Sequence, residues 1–296
     1  MGDNDGLNAL LAAEPVPVSE LGSAWEPIPA VLAAAALAAA LYAQGFVRLR
    51  RRGRGDHAST GRAIAFGLGL ALLVLALCSP LDAIGEGYLL SAHMLQHVLI
   101  GDAAVALMLL GVSGPMLFFF LPRAPLREIA HVQPLRRTLG FLVRPWVAFA
   151  IWCVVFAVWH VPTLYDLTPG NQALHDLEHV CFVLAGLLVW YALLGLAGRN
   201  AASRPRRLAL AVALFAAGQI LAMILIFSFE PLYPFYADQP ERLLGLSPTM
   251  DQRLAGLVMM AEQTITLGSL VAFLLLASDR ALRQDEHAAL RPEPRP

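Results

Sequence analysis

The sequence predicts an all-α integral membrane protein with seven transmembrane helices, and three observations carry that reading. Of 296 residues, 58% are hydrophobic and only 15% charged, against roughly 25% charged in a soluble domain. The apolar residues gather in runs of about 20, the length that crosses about 30 Å of hydrocarbon at helical rise. Clusters of arginine stand between the runs and supply all 21 basic side chains, because the chain has no lysine. The net charge of -1 leaves no basic surplus for nucleic acid. The missing lysine also excludes a retinal Schiff base on a side-chain amine.

The elements follow in order. The first 25 residues carry Asp3, Asp5, Glu14 and Glu20 without a positive charge, unlike the basic start of a signal peptide. Residues 1–27 therefore read as a polar extramembrane tail, 28–277 as the seven-helix domain and 278–296 as a C-terminal tail. Span one runs Ile28 to Val47 and ends in Arg48, Arg50, Arg51, Arg52 and Arg54. Span two covers Ile64 to Leu81, and span three starts near Tyr88. Spans four and five cover Trp146 to Val161 and His175 to Ala197; spans six and seven cover Leu208 to Phe229 and Leu254 to Ala277. Cys78, Cys153 and Cys181 lie in apolar stretches with no CxxC pair and read as buried thiols.

The arginines orient the bundle. With the segments after spans one, three, five and seven on one side, that side holds 19 arginines and the other only Arg242 and Arg253. Positive residues stay cytoplasmic, so the N-terminus is expected in the periplasm and the C-terminus in the cytoplasm of a bacterial inner membrane. Two stretches exceed plain spans. Tyr88 to Pro122 is too long for one helix, so GVSGP at Gly111–Pro115 should end or kink it, and Met116–Leu142 should lie along the interface. The outer loop Glu230–Thr249 carries Tyr233, Phe235 and Tyr236, which suit an interfacial aromatic belt.

The histidines carry the chemistry. His57, His131 and His287 fall in cytoplasmic segments, whereas the other five of the eight share one layer at the outer face. His93 and His97 form HMLQH on span three, His175 and His179 form HDLEH on span five, and His160 closes span four in WHVP. Residues at i and i+4 share a helix face, so each pair can point two imidazoles at one ion. Imidazole suits copper, zinc, iron and nickel. Neither pair reads HExxH, the signature in which a glutamate is the general base of a zinc hydrolase, and no catalytic set is assigned. Haem would need axial histidines from facing helices, which leaves the doubling at i,i+4 unexplained. Copper fits better, with Met94, Met250, Met259 and Met260 as candidate soft ligands; the plain alternative for each methionine is packing. Asp102, Asp166, Glu178, Asp251 and Glu262 are candidate supporting groups. Asp102 and Glu262 sit within spans, where a carboxyl is either functional or simply hydrogen-bonded, and Asp251 also reads as an acid in the first turn of its own helix.

With these motifs together, the chain resembles the CtaG-type family of cytochrome c oxidase assembly factors. The resemblance rests on SAHMLQHVLIGD (Ser91–Asp102), WHVPTLYD (Trp159–Asp166), LHDLEHVCFVLAGLLVW (Leu174–Trp190), PLYPFYA (Pro231–Ala237) and LSPTMDQRLAGLVMM (Leu246–Met260). It covers Leu81 to Ala277. It implies a non-enzymatic role in maturing a haem-copper oxidase, with an oxidase subunit as partner and copper as the ion handled. The sequence also admits a haem- or metal-dependent membrane oxidoreductase and, third, a metal transporter. A site near the interface would exchange its ion through Tyr165, Asp166 and the Tyr233–Tyr236 loop.

Overall fold

The computed structural model describes residues 16–112, 116, 120, 127–128, 131–196 and 201–289, with the backbone alone for 278–289. Among them every regular element is helical. Helix α1 (Pro29–Arg51) starts on a proline, whose fixed φ and missing N–H suit the first turn. Helix α2 (Thr60–Cys78) begins behind Ser59, whose hydroxyl accepts the Arg62 N–H. Among the described residues six helices are long and apolar enough to cross a membrane, or seven if the bent pair is one span. The expected number of spans thus matches the upper count.

Span two ends earlier than expected. Its helix ends at Cys78 rather than Leu81, because Ser79 precedes Pro80 and is held in an extended conformation. Ser79 then caps a separate short helix, α3 (Pro80–Gly87), through the Leu81 N–H. Span three is α4 (Leu90–Gly111), in which Leu99–Ala103 form a π-helical turn. It ends at Gly111, where the GVSGP motif predicts an end, although Ser113 to Pro115 lie outside the described residues.

The expected interfacial segment, Met116–Leu142, also lies partly outside the described residues. Its last part is α5 (Gln133–Leu142), which turns 73° into α6 (Pro145–Trp159). Helix α5 buries none of its residues and leaves Leu135, Leu139 and Phe141 exposed beside Arg136 and Arg137. That is the composition of a helix lying in an interface. Helices α7 (Gln172–Leu193), α8 (Arg204–Phe227) and α9 (Pro248–Ala289) complete the bundle.

Packing places α4 and α7 at the centre and α1 at the edge. Tyr42 of α1 stacks on Phe66 of α2 at 4.1 Å. Helices α4 and α7 meet at glycine: a methyl group on Gly186 would lie 1.9 Å from the carbonyl oxygen of Gly101, inside the π turn. Only a residue without Cβ permits that approach. Away from the histidines, Val105, Leu109, Val189, Leu193, Leu214 and Leu267 fill the core between α4, α7, α8 and α9. At that end the Arg207 guanidinium donates to the Leu193 carbonyl at 2.6 Å, satisfying a helix C-terminus with a cation.

Candidate metal centre

The HxxxH pairs of α4 and α7 meet. His93, His97, His175 and His179 are 0, 4, 1 and 7% exposed, so the four imidazoles are enclosed by protein. Nε2 of His93 and Nε2 of His97 lie 2.8 Å apart. The ring centres of His93 and His175 are 5.2 Å apart, and those of His97 and His179 are 5.3 Å apart. Two nitrogens on one tetrahedral metal at about 2.0 Å sit about 3.3 Å apart. A small opening of the His93–His97 contact would therefore admit an ion.

Glu178 sits between the pairs rather than behind them. Its carboxylate oxygens lie 3.8 Å from Nε2 of His93 and 3.8 Å from Nε2 of His97. Among the described residues three donor sets have ligand atoms within 4.8 Å of one another: His93, His97 and His179; His93, His175 and Glu178; and Asp82, His175 and His179. These buried nitrogens and carboxylates can hold a metal ion, and their mixture of imidazole and carboxylate suits a first-row transition metal.

Hydrogen bonds orient the rings. The Tyr236 hydroxyl donates to the Gly85 carbonyl at 2.7 Å and accepts from His93 Nδ1, also at 2.7 Å. Nδ1 of His93 therefore carries the proton, and the lone pair of its Nε2 faces the cluster, toward His97 Nε2. Asp251 anchors the helix beneath. Its Oδ2 accepts the Leu90 N–H at 2.8 Å and its Oδ1 accepts the Ser91 N–H at 3.1 Å. Asp251 lies in the first turn of α9, as expected, and it also caps α4, whose Leu89 has no side-chain acceptor to offer.

The remaining candidates divide. His160 is 8% exposed, donates from Nδ1 to the Phe156 carbonyl at 2.7 Å and belongs to none of the three donor sets. It lines a small cavity of ≈ 40 Å³ with His97, Met94, Met259, Asp102 and Glu262. Asp102 accepts a hydrogen bond from the Trp190 indole, and neither it nor Glu262 joins a donor set. Met94 and Met259 are buried, Met260 is partly buried against the Tyr165–Tyr233–Tyr236 cluster, and Met250 is 46% exposed. Asp166 lies away from the histidines and accepts the Phe235 N–H at 3.4 Å, which fastens the outer loop.

The aromatic loop differs from its expected place. Tyr165, Tyr233 and Tyr236 are 0, 1 and 3% exposed and roof the histidines instead of forming a belt at the interface. Their burial is compatible with a polar tip because the Tyr233 and Tyr236 hydroxyls find the carbonyls of His160 and Gly85. The exchange route drawn through these tyrosines is therefore closed.

The open side is where sequence reasoning placed only loop acids. Helix α3 brings Asp82 into a donor set with His175 and His179, and puts Glu86 Oε1 3.9 Å from His175 Nδ1. Asp82 also accepts a hydrogen bond from the buried Gln96 amide. Burial raises Asp82 to about 6, against the Gln96 hydrogen bond, with help from Glu26 and Asp176. Burial likewise raises Glu86 to about 7, followed by repulsion from Asp82, Glu26 and Asp176. Negative charge crowded beside neutral imidazoles favours a cation. The Ser79–Pro80 dipeptide was the available signal for this short helix.

A family model described as cytochrome c oxidase caa3 assembly factor (Caa3_CtaG) matches residues 40–280. The chain belongs to that family. For this Caa3_CtaG member the match takes in both HxxxH pairs, Glu178 and the carboxylates of α3, and it starts within α1, ahead of the resemblance that begins at Leu81. Uncharacterized proteins of Mycobacterium bovis and Mycobacterium tuberculosis are each 28% identical over 189 residues, or 62% of this chain. That segment spans 28% of the length of each relative. No solved structure matches.

Proposed function

We propose that the protein binds copper at the His93–His97–His175–His179–Glu178 centre, on the periplasmic side of the bacterial inner membrane, and aids its delivery to a haem-copper oxidase. The observation that carries this reading is the convergence of two buried HxxxH pairs and a carboxylate in a member of an oxidase assembly family. A periplasmic N-terminus and a cytoplasmic C-terminus follow from the arginine asymmetry. Copper arriving from outside would then meet the histidine end first.

The geometry weighs against the two rivals. A porphyrin needs axial histidines on opposite faces with the macrocycle between them, whereas the rings that face each other across α4 and α7 have centres only 5.2 and 5.3 Å apart. A transporter needs a polar route through the bundle, and beyond Asp102 and Glu262 the interior is the packed apolar core around Leu109, Leu193 and Leu214. No enzymatic step is assigned. The centre holds and releases an ion.

The test is a deletion strain in which oxidase polypeptide, oxidase copper and whole-cell copper are measured together. The expected result is normal polypeptide, low oxidase copper and activity, and unchanged cellular copper. Added copper should restore part of the activity by mass action, and a His97→Ala, His179→Ala protein should fail to complement. Normal oxidase activity in the deletion strain, with no second family member present, would overturn the proposal.

A further inference from the structure

A cavity of ≈ 680 Å³ lies between the N-terminal segment, α3 and the start of α7. Its charged lining is acidic only: Glu20, Glu26, Asp82 and Glu86, with no arginine or histidine among the described residues. The acids are graded in depth. Glu20 and Glu26 are exposed at the mouth, and Asp82 and Glu86 are half-buried at the floor. Beneath them His175 is 1% exposed, and neither of its ring nitrogens makes a hydrogen bond. Its Nδ1 faces Glu86 at 3.9 Å, and it shares a donor set with Asp82 and His179. An enclosed imidazole with both nitrogens free, below a carboxylate floor, is a ligand waiting for a cation rather than a packed core residue.

We propose that this cavity is the loading site of the centre, where a hydrated metal cation is captured before it reaches the histidines. The inference rests on the reading of the histidine cluster as a metal centre and adds the route and the first contacts. Glu20 and Glu26 raise the local cation concentration, as charge of one sign in a low-dielectric cleft does. Asp82 and Glu86 then replace part of the ion's water with carboxylate oxygen. His175 is the first nitrogen donor met, and its neighbours His179 and His93, with Glu178, complete the transfer inward. The volume accommodates an ion with six waters at about 30 Å³ each. No bond is made or broken in this sequence except ligand exchange at the ion.

The experiment uses the full chain in detergent, with Co²⁺ alone as the probe and its d–d absorption followed by stopped flow. The Glu20→Gln, Glu26→Gln double variant should load at least about tenfold more slowly at low salt and reach the same final absorption. Salt should slow loading of the wild type and leave the variant nearly unchanged, because the steering charges are screened beyond about 10 Å at 0.1 M. Equal loading rates at low salt would overturn the route while leaving the histidine centre in place. A wild-type rate independent of salt would do the same without any variant. No Co²⁺ or copper uptake by the wild type would overturn the metal centre itself, and the route with it.

Discussion

The Tyr236 hydroxyl fixes which nitrogen His93 presents to the centre. It accepts a hydrogen bond from His93 Nδ1 at 2.7 Å and donates one to the Gly85 carbonyl, so a loop residue 143 positions away sets the ring's tautomer. Tyr236→Phe keeps the ring and its burial but removes the hydrogen bond. Supporting partners of this kind are typically worth about 10–100-fold in metal affinity. The expected outcome is a weaker Kd by about that factor, with unchanged stoichiometry at saturating metal, measured by competition with a chelator. An unchanged Kd would show that the tautomer is held by packing alone.

Asp251→Ala should act on both stability and the site. It strips acceptors from the Leu90 and Ser91 N–H groups at the start of α4. Losing a cap and leaving a buried donor unmatched costs about 2 kcal/mol, or roughly 3 °C in Tm for a chain of this size. Metal affinity should fall with it, because His93 lies in the first turn that Asp251 holds. Asp251→Asn keeps one acceptor and should lose about half as much. A thermal shift assay with and without metal separates the two effects.

The sequence made some of this architecture legible and hid the rest for a physical reason. Apolar runs of about 20 residues mark spans because hydrocarbon thickness sets their length, and the i,i+4 spacing of His93–His97 and His175–His179 marks shared faces because helical pitch does. Both are local rules. Which helix faces which is not local. The pairing of Asp251 with α4, the insertion of Glu178 between two histidine pairs and the tyrosine roof all join residues far apart in the chain. Composition alone reads Tyr233 and Tyr236 as interfacial, since their buried carbonyl partners carry no sequence signature. The π turn at Leu99–Ala103 is silent for the same reason, although such turns recur at functional sites.

The crossing of α4 and α7 is testable at Gly186. A methyl group there would collide with the Gly101 carbonyl at 1.9 Å, and neither backbone can move aside without parting the helices. Overpacking of this kind costs about 1–3 kcal/mol. Since the same two helices carry all four histidines, Gly186→Ala should lower Tm and bound metal together. Gly67→Ala is the control, because a Cβ there meets nothing within 4 Å and alanine is the better helix former by about 1 kcal/mol. Its Tm should stay level or rise, and its metal content should match the wild type.

Glu86 gives the pH prediction. Burial first, then repulsion from Asp82, Glu26 and Asp176, raises it from 4.5 to about 7 in the folded protein. A carboxyl whose folded value is raised binds its proton more tightly in the native state than in the unfolded chain. Its contribution to stability is therefore complete below about pH 4.5 and is lost as pH rises through about 7. Glu86→Gln keeps the shape and removes the titration. The difference in Tm between Glu86→Gln and wild type, measured on metal-free protein, should be small at about pH 5 and grow in favour of the variant up to about pH 8. Taking the difference cancels the titrating groups that do not interact with Glu86. Curves that stay parallel over that range would mean that the Glu86 carboxylate is already relieved by solvent. Curves that diverge, and then converge again when metal is added, would place a cation beside Glu86 and His175.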